Sequence, residues 1–254
     1  MNKDKIKVLL NGSNGRMGHE VIKAANDFEK IEIIAGVDRD TENNECEFPV
    51  FSDISDINII PDIIIDFSVP DASMKILEFA KEKNIPIVIA TTGFSNEQME
   101  NIKIISKQIP VFKSANMSYE INFMIKLLKE CAKNLVDSDI EIIEVHHNNK
   151  VDSPSGTALL LADSMNDVLN NEMEYEYDRH SKRQKRDKRE IGIHSIRGGT
   201  ECGKHTVMFY GKNESFEISH NVTSRAVFAN GALKAVEFMI GKNPGRIYNM
   251  NDMF

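Results

Sequence analysis

Apolar positions along the first half of the chain alternate between two periods. Ile6–Leu10 is a short β-prone run, glycines follow it, and helical spacing then runs from Arg16 to about Phe28. Ile31–Val37 (IEIIAGV) predicts a second strand, so this opening segment predicts a βαβ unit with parallel neighbours. Apolar runs at Ile63–Phe67 (IIIDF), Ile85–Ala90 (IPIVIA) and Val111–Phe112 alternate with helical stretches at Ala72–Lys83 and Asn96–Lys107. Strands apolar on both faces belong inside a parallel sheet, which predicts a doubly wound α/β domain over roughly the first 117 residues.

The pattern changes after Asn116. Glu120–Leu135 reads as a long amphipathic helix and Asp139–Val145 as a strand, followed by the loop HHNNKVDSPSGT and a helix from Gly156 to about Val168. Strands then dominate, at Ile191–Ile196, His205–Tyr210 and Ser215–His220, the last two joined by a turn at Gly211–Glu214. Phe216 and Ile218 alternate with polar neighbours, which predicts an antiparallel sheet covered on one face. Ser224–Ile240 reads as helix despite Gly231, and the tail is polar. There is no internal repeat and no low-complexity linker.

Composition narrows the class. The 254 residues are 41% hydrophobic and 28% charged, the balance of a soluble globular protein long enough to bury a real core. A net charge of -8 repels nucleic acid and acidic membrane surfaces, so neither is an expected partner, and an anionic ligand must be held by a local cluster. Cys46, Cys131 and Cys202 are widely spaced and odd in number, which argues for a reducing compartment. No apolar stretch is long enough to span a bilayer, and Met1–Lys7 is polar, without a signal-type core. The expectation is a cytoplasmic enzyme.

The first candidate site is the turn Gly12-Ser13-Asn14-Gly15-Arg16-Met17-Gly18, with spacing GxxGxxG in place of the commoner GxGxxG. A strand that ends in glycine and opens directly into a helix presents free backbone N–H groups and the positive helix end to a pyrophosphate. About 20 residues after the last glycine, Asp38 closes the second strand, where a carboxylate can hold the adenosine ribose hydroxyls. Arg39 beside it, or Arg16, can instead pair with a 2′-phosphate, so either NADH or NADPH fits. Phe67-Ser68, Ala90-Thr91-Thr92-Gly93 and Ser114-Ala115-Asn116-Met117 follow later strands, at the rim where a nicotinamide and its ribose would lie. A tight turn needed only for packing is the bland alternative, and Asp38 in register counts against it.

The second candidate site is Glu144-Val145-His146-His147-Asn148-Asn149-Lys150-Val151-Asp152-Ser153-Pro154-Ser155-Gly156-Thr157. Two imidazoles and an ammonium at a strand end are poor core material but suit an anionic substrate that must be protonated. The helix start at Gly156-Thr157 adds amides and a hydroxyl for a carboxylate, and the combination points to a dicarboxylate. A metal site is disfavoured, because adjacent strand histidines face opposite ways and no third ligand stands at useful spacing. A serine nucleophile lacks the G-x-S-x-G elbow; Ser153 or Ser155 instead caps the helix. The bland alternative is a solvated loop with incidental histidines.

These residues resemble those of the 4-hydroxy-tetrahydrodipicolinate reductases, formerly called dihydrodipicolinate reductases. HHNNKVDSPSGTA is similar to the family pattern E-x-H-H-x-x-K-x-D-[AS]-P-S-G-T-A, and NGSNGRMG, DFSVP, ATTGF, SANMS, IRGG, KHTVMF and SRAVFANGA follow in family order. The resemblance implies a Rossmann-type doubly wound parallel sheet plus an α+β substrate-binding and oligomerisation domain, divided as 1–117 with 226–254 and 118–225. It also implies a homotetramer assembled through the sheets of the second domains. By position it implies that Gly12, Ser13, Asn14, Gly15, Arg16 and Met17 cradle the pyrophosphate and that Asp38 and Arg39 meet the adenosine ribose. Ala90, Thr91, Thr92, Ser114, Ala115, Asn116 and Met117 surround the nicotinamide, His146 and Lys150 donate protons, and His147, Gly156 and Thr157 hold the cyclic dicarboxylate. Three departures stand out: Ser13-Asn14 where small residues are common, Val69 where some members carry a basic residue, and Lys204 in place of an acidic one. The first two bear on NADH against NADPH.

The family reaction removes the 4-hydroxyl as water and adds hydride at C4 and a proton at C3, on the route to diaminopimelate and lysine. Arg179–Arg189 (RHSKRQKRDKR) is dense in cations and reads as a solvated, flexible loop in an acidic protein rather than a nucleic-acid patch. Another amino-acid dehydrogenase of similar layout is the rival enzyme, and the HHNNK and SGT residues speak against it. A nicotinamide-sensing module without catalysis is the rival non-enzyme, disfavoured by His146, His147 and Lys150 together.

Overall fold

The computed structural model describes residues 5–41 and 46–254; Met1–Asp4, the start of the polar amino-terminal stretch, lies outside them. The chain forms two compact units, one running through Tyr119 and resuming at Arg225–Phe254, the other spanning Glu120–Ser224. β1 (Ile6–Asn11) leads through the glycine turn to α1 (Arg16–Ala25) and β2 (Ile31–Val37), followed by β3 (Val50–Phe51) and β4 (Ile63–Asp66). Next come α2 (Pro70–Lys83), β5 (Ile87–Ile89), α3 (Asn96–Ile105) and β6 (Val111–Lys113). The second unit contains α4 (Tyr119–Asn134, from Glu120 on), β7 (Asp139–His146), α5 (Gly156–Val168), β8 (Glu174–Glu176), β9 (Glu190–Arg197), β10 (Gly203–Tyr210) and β11 (Ser215–Val222). The chain then returns to the first unit as α6 (Ala226–Met239) and β12 (Ile247–Tyr248).

The first unit is a seven-stranded parallel sheet in the order β12-β6-β5-β4-β1-β2-β3. Val8, Leu10, Ile63, Ile65 and Phe112 pack on one face with α1 and α6, whereas Leu9, Ile64, Ile87 and Val111 pack on the other with α2 and α3. Both faces are covered, which is why these strands read as unbroken apolar runs. Each fully buried Ile, Leu or Phe contributes about 1.5–3 kcal/mol by leaving water. Strand order reverses between β1 and β4, and ligands of such sheets sit beyond the carboxyl ends of the strands at that reversal. α6 tolerates Gly231 for a packing reason, since a Cβ there would fall 1.6 Å from the Met117 carbonyl oxygen. β3 and β12 were not predicted; each has only two residues and pairs at a sheet edge.

The second unit is a five-stranded sheet in the order β11-β10-β7-β9-β8. It is mixed, not antiparallel as the alternation predicts: β10 pairs antiparallel with β7 and β11, while β7–β9 and β8–β9 are parallel. Helices α4 and α5 cover one face through Ile125, Leu128, Leu161 and Met165 against Ile140, Ile142, Ile193 and Phe209. Phe216 shares that face but stays 51% exposed, because β11 is the edge strand.

The basic stretch is an exposed loop, as its composition predicts, and it is anchored by ion pairs. Arg179 pairs with Glu190 and Lys182 with Glu176. Arg186 donates to Glu141 Oε1 (3.1 Å), Asp139 Oδ1 (2.9 Å) and the Ile140 carbonyl (3.0 Å), as well as to the carbonyls of Asp187 and Glu190. These ion pairs fasten the segment to β7 and β9. Among the described residues, no helix is long and apolar enough to cross a membrane, and no group of three or more His, Cys, Asp or Glu could hold a metal ion.

Candidate active site

At the carboxyl end of β1, Gly12 takes φ +82° and donates its N–H to the Val37 carbonyl at 2.8 Å. A Cβ on Gly12 would stand 2.4 Å from the Phe67 carbonyl oxygen, and one on Gly18 would stand 2.2 Å from that of Gly12. The turn is therefore sandwiched between the next strand's loop and its own helix, a space that only glycines leave open. Ser13 is fully buried beside Gly36, its hydroxyl without a hydrogen-bond partner among the described residues. Gly15 begins α1 without a side-chain cap, whereas Ser95 caps α3 and Ser155 caps α5. Among the described residues no side chain caps the first-turn amides at Arg16 and Met17, the arrangement an anionic phosphate completes.

Asp38 lies at the end of β2, as the nucleotide reading requires, but part of its carboxylate is engaged. Oδ2 accepts from Asn14 N (3.0 Å) and Oδ1 from Asp40 N (3.2 Å), which ties the turn to the strand end; the Asn14 side chain donates to the Asp40 carbonyl. Arg16 and Arg39 are exposed. These groups fit a dinucleotide: an uncapped helix start for the pyrophosphate and a fixed carboxylate for the ribose.

Further along the rim the expected contacts differ in kind. Thr92 and Ala115 are exposed, while Ala90, Thr91 and Met117 are buried. The Met117 side chain belongs to the core shared with α6, and the Thr91 hydroxyl donates inward to Asp66 Oδ2 at 2.9 Å. Ser114 Oγ donates to the Asn116 carbonyl at 2.9 Å, and Asn116 Oδ1 accepts from Ser118 N at 2.8 Å, so this loop is braced by its own side chains. Lys113, which the sequence did not single out, ends β6 with its ammonium over the Phe94 ring, and burial lowers its pKa.

In the second unit, Glu144 is the hub. It is fully buried on β7, and Arg197 on β9 grips it through Nη2 to Oε1 (2.7 Å) and Nη1 to Oε2 (2.8 Å). Oε1 also accepts from Ser155 N at 3.1 Å, and Oε2 lies 2.5 Å from His146 Nδ1. Burial raises the Glu144 pKa, but hydrogen bonds from Arg197, Ser195 and His146 outweigh it and bring the value to about 2. The carboxylate is therefore ionised and must accept, so Nδ1 of His146 carries the hydrogen and Nε2 is the ring atom left for other work. A Cβ on Gly203 would lie 3.0 Å from that Nε2.

Arg197 Nη2 also donates to the Asp152 carbonyl at 2.7 Å, and the Asp152 carboxylate holds Lys150 Nζ at 2.7 and 2.9 Å. Lys150, His146 and the start of α5 thus hang on one hydrogen-bonded frame. Of the two candidate caps it is Ser155 that acts, its Oγ accepting from Ala158 N at 3.1 Å while lying 3.0 Å from His205 Nε2; Ser153 precedes a cis-Pro154. Gly156 is exposed, with open space where a side chain would project, and Thr157 follows it in the first turn. Nδ1 of His147 is buried without a hydrogen-bond partner among the described residues. Burial pushes the His205 pKa down to about 4, and His146, whose ring stands edge-on to it at 5.2 Å, acts in the same direction.

Sequence reading assigned no role to Arg197, Glu144 or His205. Their signals were present: Glu144 and Arg197 stand in the EVHH and IRGG runs, and strand register sets His146 beside Arg197.

The family model described as Dihydrodipicolinate reductase, N-terminus, matches residues 6–117, and the one described as Dihydrodipicolinate reductase, C-terminus, matches residues 120–254. A 4-hydroxy-tetrahydrodipicolinate reductase of Caldanaerobacter subterraneus subsp. tengcongensis is 48% identical over 248 residues, 98% of each chain. That of Clostridium tetani is 50% identical over 249 residues, 98% of this chain and 96% of its own. Among solved structures, the dipicolinate-bound dihydrodipicolinate reductase from Paenisporosarcina sp. TG-14 matches with a TM-score of 0.84 at 24% identity, over 98% of this chain and 100% of its own. At that identity the likeness is one of fold.

Proposed function

Since the chain belongs to the 4-hydroxy-tetrahydrodipicolinate reductase family, we propose how its residues divide the reaction between them. The protein is a pyridine-nucleotide-dependent oxidoreductase that reduces 4-hydroxy-tetrahydrodipicolinate to tetrahydrodipicolinate on the diaminopimelate and lysine route. The first unit is the dinucleotide-binding part and the second binds substrate.

Gly12, Ser13, Asn14, Gly15, Arg16 and Met17 take the pyrophosphate at the uncapped start of α1, and Asp38 with Arg39 meets the adenosine ribose. Both NADH and NADPH are accepted: the carboxylate suits ribose hydroxyls, and the exposed Arg16 and Arg39 suit a 2′-phosphate. Ala90, Thr91, Thr92 and Ser114–Met117 surround the nicotinamide, Thr91 and Met117 through their backbone because their side chains are turned inward. When bound, the reduced nicotinamide supplies the hydride.

His147, Gly156 and Thr157 hold the substrate carboxylates at the start of α5, where open space surrounds Gly156. His146 and Lys150 serve the proton transfers as water is lost across C3 and C4, the 4-hydroxyl leaving with a C3 proton, after which hydride enters at C4 and a proton returns to C3. With Nδ1 held by Glu144, Nε2 is the atom through which the buried His146 delivers, and the absence of a Cβ at Gly203 avoids a tight contact with it. Asp152 holds Lys150, and Arg197 ties that loop to Glu144. This shared frame is the observation that carries the assignment.

We further propose a cytoplasmic homotetramer. The sheet face away from α4 and α5 leaves Ile196 and Tyr210 about half exposed, the kind of surface that a second sheet covers, and Cys131 and Cys202 are free thiols.

The test couples the enzyme to the synthase that makes its unstable substrate and follows nucleotide absorbance. Oxidation of both NADH and NADPH, dependent on fresh substrate, is expected. Oxidation of only one contradicts the dual-cofactor assignment, and oxidation of neither contradicts the reaction.

A further inference from the structure

β4 consists of isoleucines until its last residue, Asp66, whose carboxylate is fully buried. An anion removed from water is costly unless donors surround it. Here they do: Oδ1 accepts from Asn11 Nδ2 (2.7 Å), Ser68 Oγ (2.5 Å) and Ser68 N (3.2 Å), and Oδ2 accepts from Thr91 Oγ1 (2.9 Å). Every one of these donors is neutral. The partners also bond to one another, Ser68 N to Thr91 Oγ1 at 3.0 Å and Asn11 Nδ2 to Ser68 Oγ at 3.0 Å.

The positions of these partners matter more than their number. Asn11 is the last residue of β1, Ser68 lies in the loop after β4, and Thr91 in the loop after β5, so one side chain joins three adjacent strand ends at the point where strand order reverses. Thr91 uses its hydroxyl as both donor and acceptor inside this network and is only 3% exposed. Its hydroxyl is a strut, not a ligand for the cofactor.

We propose that Asp66 is a positioning residue for the nicotinamide half of the cofactor. It fixes the loops at Ser68 and Thr91 so that their outward backbone meets the nicotinamide and its ribose, while Asp66 itself touches neither. The proposal rests on the placement of the nicotinamide beside Ala90–Thr92 given above, and names the side chain that shapes that place.

Equilibrium binding of NADH and of ADP, which carries only the adenosine and pyrophosphate part, separates the two halves of the site. Asp66→Asn sets an amide donor against the Thr91 or Ser68 donors, and Thr91→Val keeps the shape but removes the hydroxyl. Each is expected to weaken NADH binding by about tenfold or more, ~1.4 kcal/mol, and to leave ADP affinity within about twofold. Thr91→Ser, which keeps the oxygen and loses the methyl, is expected to bind NADH within about threefold of the native protein. Equal losses for NADH and ADP, an unchanged NADH affinity, or a Thr91→Ser defect as large as that of Thr91→Val overturns the proposal in favour of plain packing. If Asp66→Asn does not fold, the Thr91 pair still decides. Thr92→Trp, on the exposed rim, checks the underlying placement: it should weaken NADH and spare ADP, and a variant that spares both refutes the nicotinamide position itself.

Discussion

A carboxylate with no water around it, such as Glu144, stays ionised only through its partners, and this makes the acid side of the stability profile informative. Its folded pKa of about 2 lies below the ordinary 4.5, so the stability it confers is complete above about pH 4.5 and is lost as pH falls toward 2. His205 produces an earlier loss. Its folded pKa is about 4 against an ordinary 6.5, so the unfolded chain takes up the proton first and stability declines as pH falls from 6.5 to 4. Thermal denaturation of His205→Gln should therefore show a flatter fall in Tm between about pH 6.5 and 4.5 than the native protein; parallel slopes would contradict the assignment. His146, Lys150, Gly156 and Thr157 stand out in the sequence as candidates because they crowd one stretch of chain. Arg197 does not, because it lies 53 positions from Glu144 and only strand register brings them together. Asp66 carried a signal that was passed over, an acid ending an otherwise aliphatic strand.

Among elements, the long central strands and α1–α6 could be read from periodicity, since burial on one face or two leaves a plain apolar pattern. β3, β8 and β12 could not, because two or three residues hold no period and pair only at or near sheet edges. Strand direction was equally hidden: alternation reports which face is covered, not whether β7 and β9 run parallel. The basic segment before β9 is the solvated loop that its composition predicts, but its anchoring by Arg186 was hidden, because the partners Asp139 and Glu141 lie more than 40 positions upstream. The Arg186 guanidinium is spent on those carboxylates and on backbone carbonyls, and it is largely buried. Arg186→Gln should therefore lower unfolding free energy by about 2–3 kcal/mol in urea titration while kcat and KM stay near native values. A variant of native stability, or one that loses activity at full stability, would show that the segment is not the fastening described.

For the molecule as a whole, the chain builds its nucleotide-type sheet from both ends and inserts the mixed-sheet unit between β6 and α6, and the two matched family regions cover both parts. The doubly wound unit was legible down to its strand ends, because a parallel sheet with both faces covered leaves few alternatives. The inserted unit was legible in its motif and not in its sheet, because the candidate residues lie close together in sequence while the strand pairing is nonlocal. The proposed mechanism needs both parts, a nucleotide bound by the first unit and protons from His146 and Lys150 of the second. Single-turnover oxidation of enzyme-bound NADH by Lys150→Ala, with NADH affinity measured in parallel, addresses this most directly. The rate should fall by about 100-fold or more while NADH affinity stays within about twofold, and comparable losses in rate and affinity, or an unchanged rate, would contradict it.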